Sequence, residues 1–564
     1  MSDNPRDIVQ QIRAQFESIL ARVQVRSDEP PSAYIMERRL VTEVLALGRL
    51  LLECFYCSQQ ASLEAIQSVD INGERVPLHG LRQRSVVSVF GKIRFMRGYY
   101  YGGEASRGYH LLDARLNMPK HSASDLLMEW RSQLACDSAF HKTVKTLYSI
   151  LGQRNSARAI EDDIVRDFKL PETFYEQQLG PKSPKEASIL VVQADGKGVP
   201  MVVNAGGIGI SRAAKTNGKS APTAAKTNGK GAPTVATADG DGAPTVVGAV
   251  GKDVAKVDQK EGNVRVRLGK GEKSGCKKEA IAAAVYAIEP CIRTPEQVIE
   301  NLFKDTRPGQ QTASPKAGTD TKRKGPYHKW LWATFKGKPA AIALAKKQAV
   351  KREGEHITAR VALTDGAAPL QHQMVKQLPD HTLILDIIHA SEYLWKAGNG
   401  VYGETSLKRD PWVKEQMLLM LSGKTQQIID ELRKLASAAG CTRRASRAIL
   451  GTVRYYERNL PYMRYDLYLE KGWPIGTGVI EGACRHLIKD RCELSGMRWT
   501  IAGAEALLQL RSIAENDDWE EFETYRQKQR QHQLYGDTVR LERRTTIEQV
   551  AIEVTDDVAK RKAA

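Results

Sequence analysis

KEASILVVQADGKGVPMVV, residues 185–203, is the stretch on which the reading of the fold turns. An uninterrupted apolar run, Ile189 to Val192, leads into Asp-Gly; this is the pattern of a strand buried on both faces, with Asp195 presented at its end. ITARVALTDGAAPL (357–370) repeats the pattern and presents Asp365. Around these two, KKEAIAAAVYAIEP (277–290) reads as a strand, and KWLWATFKGKPAAIALAKKQA (329–349) as a short strand running into a helix. LQHQMVKQL (370–378) reads as a short helix, and HTLILDIIHASEYLWKAG (381–398) as a strand that ends near Asp386 and His389. Strands separated by helices make an α/β sheet. In an open sheet of that kind, strand ends of one sense lie on one edge, where ligands bind.

Residues 390–470 are almost wholly helical in pattern, until WPIGTGVIEGACRHLIKDR (473–491) breaks the run with Pro and Gly and opens a last helix near Val479. Glu481 stands at its start, and i, i+4, i+8 spacing puts Arg485 and Lys489 on its face. Two strand-end aspartates and a helix-borne glutamate suit two Mg²⁺ or Mn²⁺ ions, because hard cations take oxygen ligands. Such a pair, roughly 3.5–4 Å apart, activates a water or a 3′-hydroxyl and stabilises the leaving oxygen in phosphodiester displacement. The bland account is also open: Asp-Gly is most often a turn, and Glu481 with Arg485 makes an intrahelical ion pair of ~0.3 kcal/mol. Asp386 and His389 are auxiliary candidates to position water or DNA, although a satisfied core histidine is the more ordinary reading. Trp499, beside Arg498, is a candidate to stack on bases, whereas Trp395 reads as core packing.

Composition narrows the partner. Eighty-four Lys and Arg against 66 Asp and Glu leave a formal charge of +18, which favours a polyanion, most commonly nucleic acid. No run approaches the ~18 apolar residues of a membrane span, and MSDNPRDIVQ is unlike a signal peptide, so a cytoplasmic protein is expected. Cys54 and Cys57 share a helix face with no second pair at zinc spacing, so they read as buried packing.

Residues 5–25 and 31–62 read as helices, and LRQRSVVSVFGKIRFMRGYYYGG (81–103) as a hairpin turning at FGK. Residues 122–168 are helical with a break at Leu151-Gly152; a helix-turn-helix with its second helix from about Ser156, carrying Arg158 after Arg154, and a plain helical hairpin both fit. From 213 an eleven-residue repeat begins, AAKTNGKSAPT then AAKTNGKGAPT, too poor in apolar residues to order itself; residues 211–275 read as a flexible insertion. Its GKS at 218–220 lacks the earlier glycine and leading strand of a phosphate loop.

The motifs VVQADGKGVPMV, VALTDG, LDIIHASEYLWKAG, WPIGTGVIEGACRHLIKDR and GMRWT together resemble the DDE transposases of bacterial insertion sequences, in the ISKra-type branch, over about residues 80–525. The resemblance implies an α/β ribonuclease H-like core with a mixed sheet, residues 183–389 and 476–530, interrupted by a helical insertion at 390–475. It implies a mainly helical DNA-binding region before it: helices at 1–78, the hairpin at 79–108, and helices at 109–180, with a charged tail at 531–564. Asp195, Asp365 and Glu481 would be catalytic and hold two Mg²⁺ or Mn²⁺ ions. By their own charge, aromaticity and position, Arg154, Arg158, Arg485, His486, Lys489, Arg491, Arg498 and Trp499 are the candidate contacts to DNA: the element's terminal inverted repeats and the target. The expected activity is metal-dependent strand cleavage and strand transfer by a homodimer or larger assembly on bacterial DNA. A silent DNA-binding derivative and a structure-selective nuclease of the same fold are the alternatives. The repeat-bearing segment departs from the family pattern, and the fold tolerates it only as a loop.

Overall fold

A computed structural model describes residues 5–24, 28–71, 74–102, 108–166, 169–202, 277–303, 324–494 and 496–536. The repeat insertion expected at 211–275, and the tail beyond 536, lie outside the described residues.

An N-terminal antiparallel sheet comprises β1 (Ser68–Ile71), β2 (Glu74–Ser88) and β3 (Gly91–Tyr100). β2 and β3 form the expected hairpin, closed at Ser88↔Gly91. The hairpin does not begin at residue 79, since β2 starts at Glu74 and β1 adds a third strand. The helices Pro5–Gln24 and Ala33–Ala61 precede it, and the second packs on β3.

The central sheet has five strands in the order β6-β5-β4-β7-β8. β4 (Ile189–Pro200) lies at its centre and is buried from Ile189 to Ala194, which is why its sequence is continuously apolar rather than alternating. β5 (Lys277–Ile288) pairs antiparallel along all of β4, from Ile189↔Ile288 to Pro200↔Lys277, and β6 (Tyr327–Thr334) pairs antiparallel with β5. β7 (Ala359–Thr364) and β8 (Thr382–Leu385) run parallel to β4. The last residue of β4, Pro200, and the first of β5, Lys277, face each other in the ladder, so residues 203–276, which lie outside the described residues, connect neighbouring strand ends.

Asp195 is not at a strand end. β4 continues through Asp-Gly to Pro200 because β5 keeps pairing with it, Asp195 opposite Ala282. Its parallel pairing with β7 stops at Gln193↔Leu363, so Asp195 lies just past that ladder, near where Asp365 follows β7.

Helices at Ile387–Tyr402, Arg409–Leu421, Thr425–Ser437, Arg443–Asn459 and Tyr465–Glu470 form the expected helical block. It shares one apolar core with β7 and β8, through Val361, Leu363, Ile384, Leu394 and Tyr456. Buried tyrosine hydroxyls fix the contact: Tyr465 donates to Leu385 O and Tyr455 to Asp365 O, both at 2.9 Å. Among the described residues, no helix is long and apolar enough to cross a membrane.

Candidate active site

The Asp365-Gly366 turn is held from the helical block. Besides the Tyr455 bond, Arg458 donates to Gly366 O at 2.7 Å, and Asp365 Oδ1 accepts from Ala367 N at 2.9 Å. Gly366 has φ +88°, and a Cβ there would collide with the Tyr455 hydroxyl, so glycine is required on both counts.

Asp386 follows β8 and caps the Ile387–Tyr402 helix. It is fully buried, and five donors converge on its carboxylate: Ile388 N and Thr477 N on Oδ1 at 3.2 and 3.3 Å, and His389 N, His389 Nδ1 and the Thr477 hydroxyl on Oδ2 at 3.4, 2.6 and 2.9 Å. That exhausts the roughly four lone-pair sites a carboxylate offers. The Asp386 bond raises His389 to about 9, against a smaller opposing effect of burial.

Thr477, itself buried, sits between the two carboxylates: its hydroxyl, with one proton to donate, lies 2.9 Å from Asp386 and 3.1 Å from Glu481 Oε1. From the other side, Gln193 on β4 accepts from Ile480 N at 3.0 Å and donates to Gly476 O at 3.4 Å and Tyr286 Oη at 3.1 Å. The Pro-Gly-Thr stretch is thus a loop clamped by two buried side chains, with Glu481 delivered exposed at its end.

Glu481 lies on the short helix Gly478–Ala483, which passes into a π-helical turn, Cys484–Lys489. Glu481, Arg485 and Lys489, expected on one face, are all exposed across this turn. The carbonyls of His486 and Leu487 in this turn accept instead from buried Arg511, the latter at 2.8 Å. Arg485 and His486 both point to Asp490 rather than to Glu481, at 4.0 and 3.3 Å.

Asp195 is half-buried; burial raises its carboxyl above the ordinary value and Asp365 adds to this, while Gly196 N at 2.6 Å, Cys484 and His389 act against it. Cys484 Sγ lies 3.5 Å from Asp195 Oδ2, so the glutamate helix touches β4 at the aspartate itself. Asp195, Asp365, His389 and Glu481 therefore share one neighbourhood. At ligand distance, however, the group that meets among the described residues is Asp386, His389 and Glu481, with candidate atoms within 4.8 Å of one another. These three could hold a metal ion. Among the described residues, Asp195, Asp365 and Glu481 do not form such a group.

The expected DNA contacts divide. Arg485, His486, Lys489, Arg498, Arg154 and Arg158 are exposed. Arg491 and Trp499 are corrected to core residues: Arg491 is fully buried, donates to Ala135 O at 2.8 Å, and lies 5.0 and 4.9 Å from the rings of Phe140 and Trp499. Trp499 is 7% exposed and donates to Cys492 O at 3.1 Å. The helices Phe140–Leu151 and Ala157–Arg166 flank a left-handed Gly152, but the second buries Ile160 and Ile164, and Arg158 is paired with its own Asp162 at 3.0 Å. Gln193, Thr477 and Cys484 were not singled out in the sequence; the local signals were a polar residue inside an apolar strand, and a Thr and a Cys flanking the glutamate within one quoted motif.

Residues 36–205 match the family model of an uncharacterised protein family, UPF0236, under a third of the chain. The match ends just past β4 and so includes Asp195. No curated protein matches the chain.

Proposed function

We propose that the protein is a DDE-type DNA transposase with a ribonuclease H-like core, which binds the ends of an insertion sequence and performs metal-dependent strand cleavage and strand transfer. The observation that carries this reading is the convergence of Asp195, Asp365, His389 and Glu481 at one edge of a mixed sheet, from four separate segments of the chain. The antiparallel β6-β5-β4 half and the parallel β4-β7-β8 half, with the helical block between β8 and Glu481, support the fold.

The donor set fits hard divalent cations. Burial and the neighbouring Asp365 raise the cost of ionising Asp195, which a bound cation would offset, and all three acidic side chains offer oxygen. Two Mg²⁺ or Mn²⁺ ions, when bound, supply an activated water or 3′-hydroxyl and charge neutralisation at the leaving oxygen. Asp195, Asp365 and Glu481 would hold them. Asp386, with every oxygen engaged, instead orients His389 and, through Thr477, Glu481. The exposed Arg485, Lys489 and Arg498 would grip the DNA backbone, and joining two ends calls for a homodimer or larger assembly on DNA in the bacterial cytoplasm.

The test is cutting of labelled duplexes that carry the element's ends, in Mn²⁺ and in EDTA, with Asp365→Asn alongside. Metal-dependent cutting at the ends that the variant lacks supports the enzyme. Sequence-specific binding without cutting in any metal would make this a silent DNA-binding derivative, and cutting of branched DNA regardless of sequence would make it a nuclease.

A further inference from the structure

Beside Asp365 and His389, a cleft of about 280 Å³ opens toward the helical block. It is smaller than the ~300–1,000 Å³ typical of small-molecule sites, and open, which suits a length of polymer backbone. Its far wall is a face-to-face pair, Tyr393 and Tyr455, with centroids 3.7 Å apart and planes within 8°. A cation lies on each ring: Lys396 Nζ 4.2 Å from the Tyr393 centroid, and Arg458 Cζ 5.4 Å from that of Tyr455. Lys396 is 56% exposed, and its carboxylate neighbour Glu392 is 3.8 Å away, too far for a tight bond. Arg458 spends one nitrogen on Gly366 O and keeps its other donors. The floor is Ala367 and Ala368, the start of the helix Ala368–Gln377, whose first turn has no side-chain cap. The cleft thus has Asp365 at the metal end and two cations, Lys396 and Arg458, with Glu392 beside Lys396, at the other, above a helix N-terminus that favours anions.

We propose that this cleft holds the phosphodiester next to the bond being cut, clamped by Lys396 and Arg458, so that the helical block positions the DNA strand as it leaves the carboxylates. The proposal rests on the transposase reading. It gives the block a function beyond packing: the Tyr393–Tyr455 stack seats a cation on each ring beside the carboxylates.

The experiment uses the full chain and a labelled duplex carrying an element end with a protruding 3′ strand. Affinity is measured by anisotropy in Ca²⁺ across a salt series, and cutting in Mn²⁺, for the natural protein, Lys396→Gln, and Lys396→Gln with Arg458→Gln. The single variant leaves the Gly366 bond untouched and guards against a misfolded loop. The expected result is a salt dependence shallower by about 0.7–0.9 in log–log slope for each cation removed, a roughly tenfold weaker affinity in the double variant, and, in Lys396→Gln alone, an unchanged Mn²⁺ half-saturation for cutting. If the natural protein binds and cuts while both variants keep its slope and affinity, the cleft proposal is overturned and the transposase reading stands. A natural protein that neither binds nor cuts the ends overturns both.

Discussion

The two halves of residues 473–499 are adjacent in sequence and built for opposite ends. Before Cys484, buried neutral groups spend their hydrogen bonds on exposing one charge: Gln193 and Thr477 are enclosed so that Glu481 can face solvent. After Cys484, the charges part company. Arg485, His486 and Lys489 stay at the surface, whereas Arg491 is drawn fully inside, between two aromatic rings. A run of cations after a glutamate is therefore not one feature, and burial rather than charge separates the site from its scaffold.

That contrast can be broken at several points. Glu481→Gln should lower cutting by about 10³-fold, near 4 kcal/mol, with little change in folding; normal cutting would remove Glu481 from the chemistry. Arg491→Ala belongs to the other half: it should destabilise the fold by roughly 3 kcal/mol in a denaturant titration, without altering the salt dependence of DNA binding. Thr477→Val removes only the hydroxyl between Asp386 and Glu481, and a loss of about 10–100-fold in cutting is expected, with Thr477→Ser restoring most of it. An equal loss in both variants would show packing, not the hydroxyl, to be what matters. By contrast Arg485→Gln and Lys489→Gln should each leave stability within about 0.5 kcal/mol and lower the salt slope by about 0.9.

The smallest effect is a titration. His389 is raised toward 9 by Asp386, so its contribution to stability is full below the ordinary value of about 6.5 and is lost as pH rises through about 9. In metal-free protein the imidazole signals of His389 should titrate near pH 9, and near the ordinary value in Asp386→Asn. Coincident titrations would mean that the 2.6 Å bond does not hold in solution.

Much of the fold is legible because burial on both faces leaves an unbroken apolar mark. β4, β5, β7 and the strand-to-helix step at β6 were all expected from such runs, as was the helical block. Asp195 was misplaced at a strand end because Asp-Gly usually turns a chain; here β5, more than 70 residues further on, keeps β4 extended, and no local signal carries that information. The π turn escaped for a related reason: the carbonyls Arg511 satisfies belong to residues about 25 positions earlier. Arg491 and Trp499 looked like DNA contacts because composition records charge and aromaticity but not which way a side chain turns. Gln193 and Thr477 act only through groups brought near by folding, and the role of each is visible once Asp386, Gly476 and Ile480 are in place.

The central claim is that Asp195, Asp365 and Glu481 form one site for divalent ions. Anomalous diffraction from crystals of the full chain grown with Mn²⁺ tests it most directly. The account predicts Mn²⁺ bound by oxygen of Asp195, Asp365 and Glu481. Ions seated only at Asp386 and His389, with Asp195 and Asp365 bare, would contradict it.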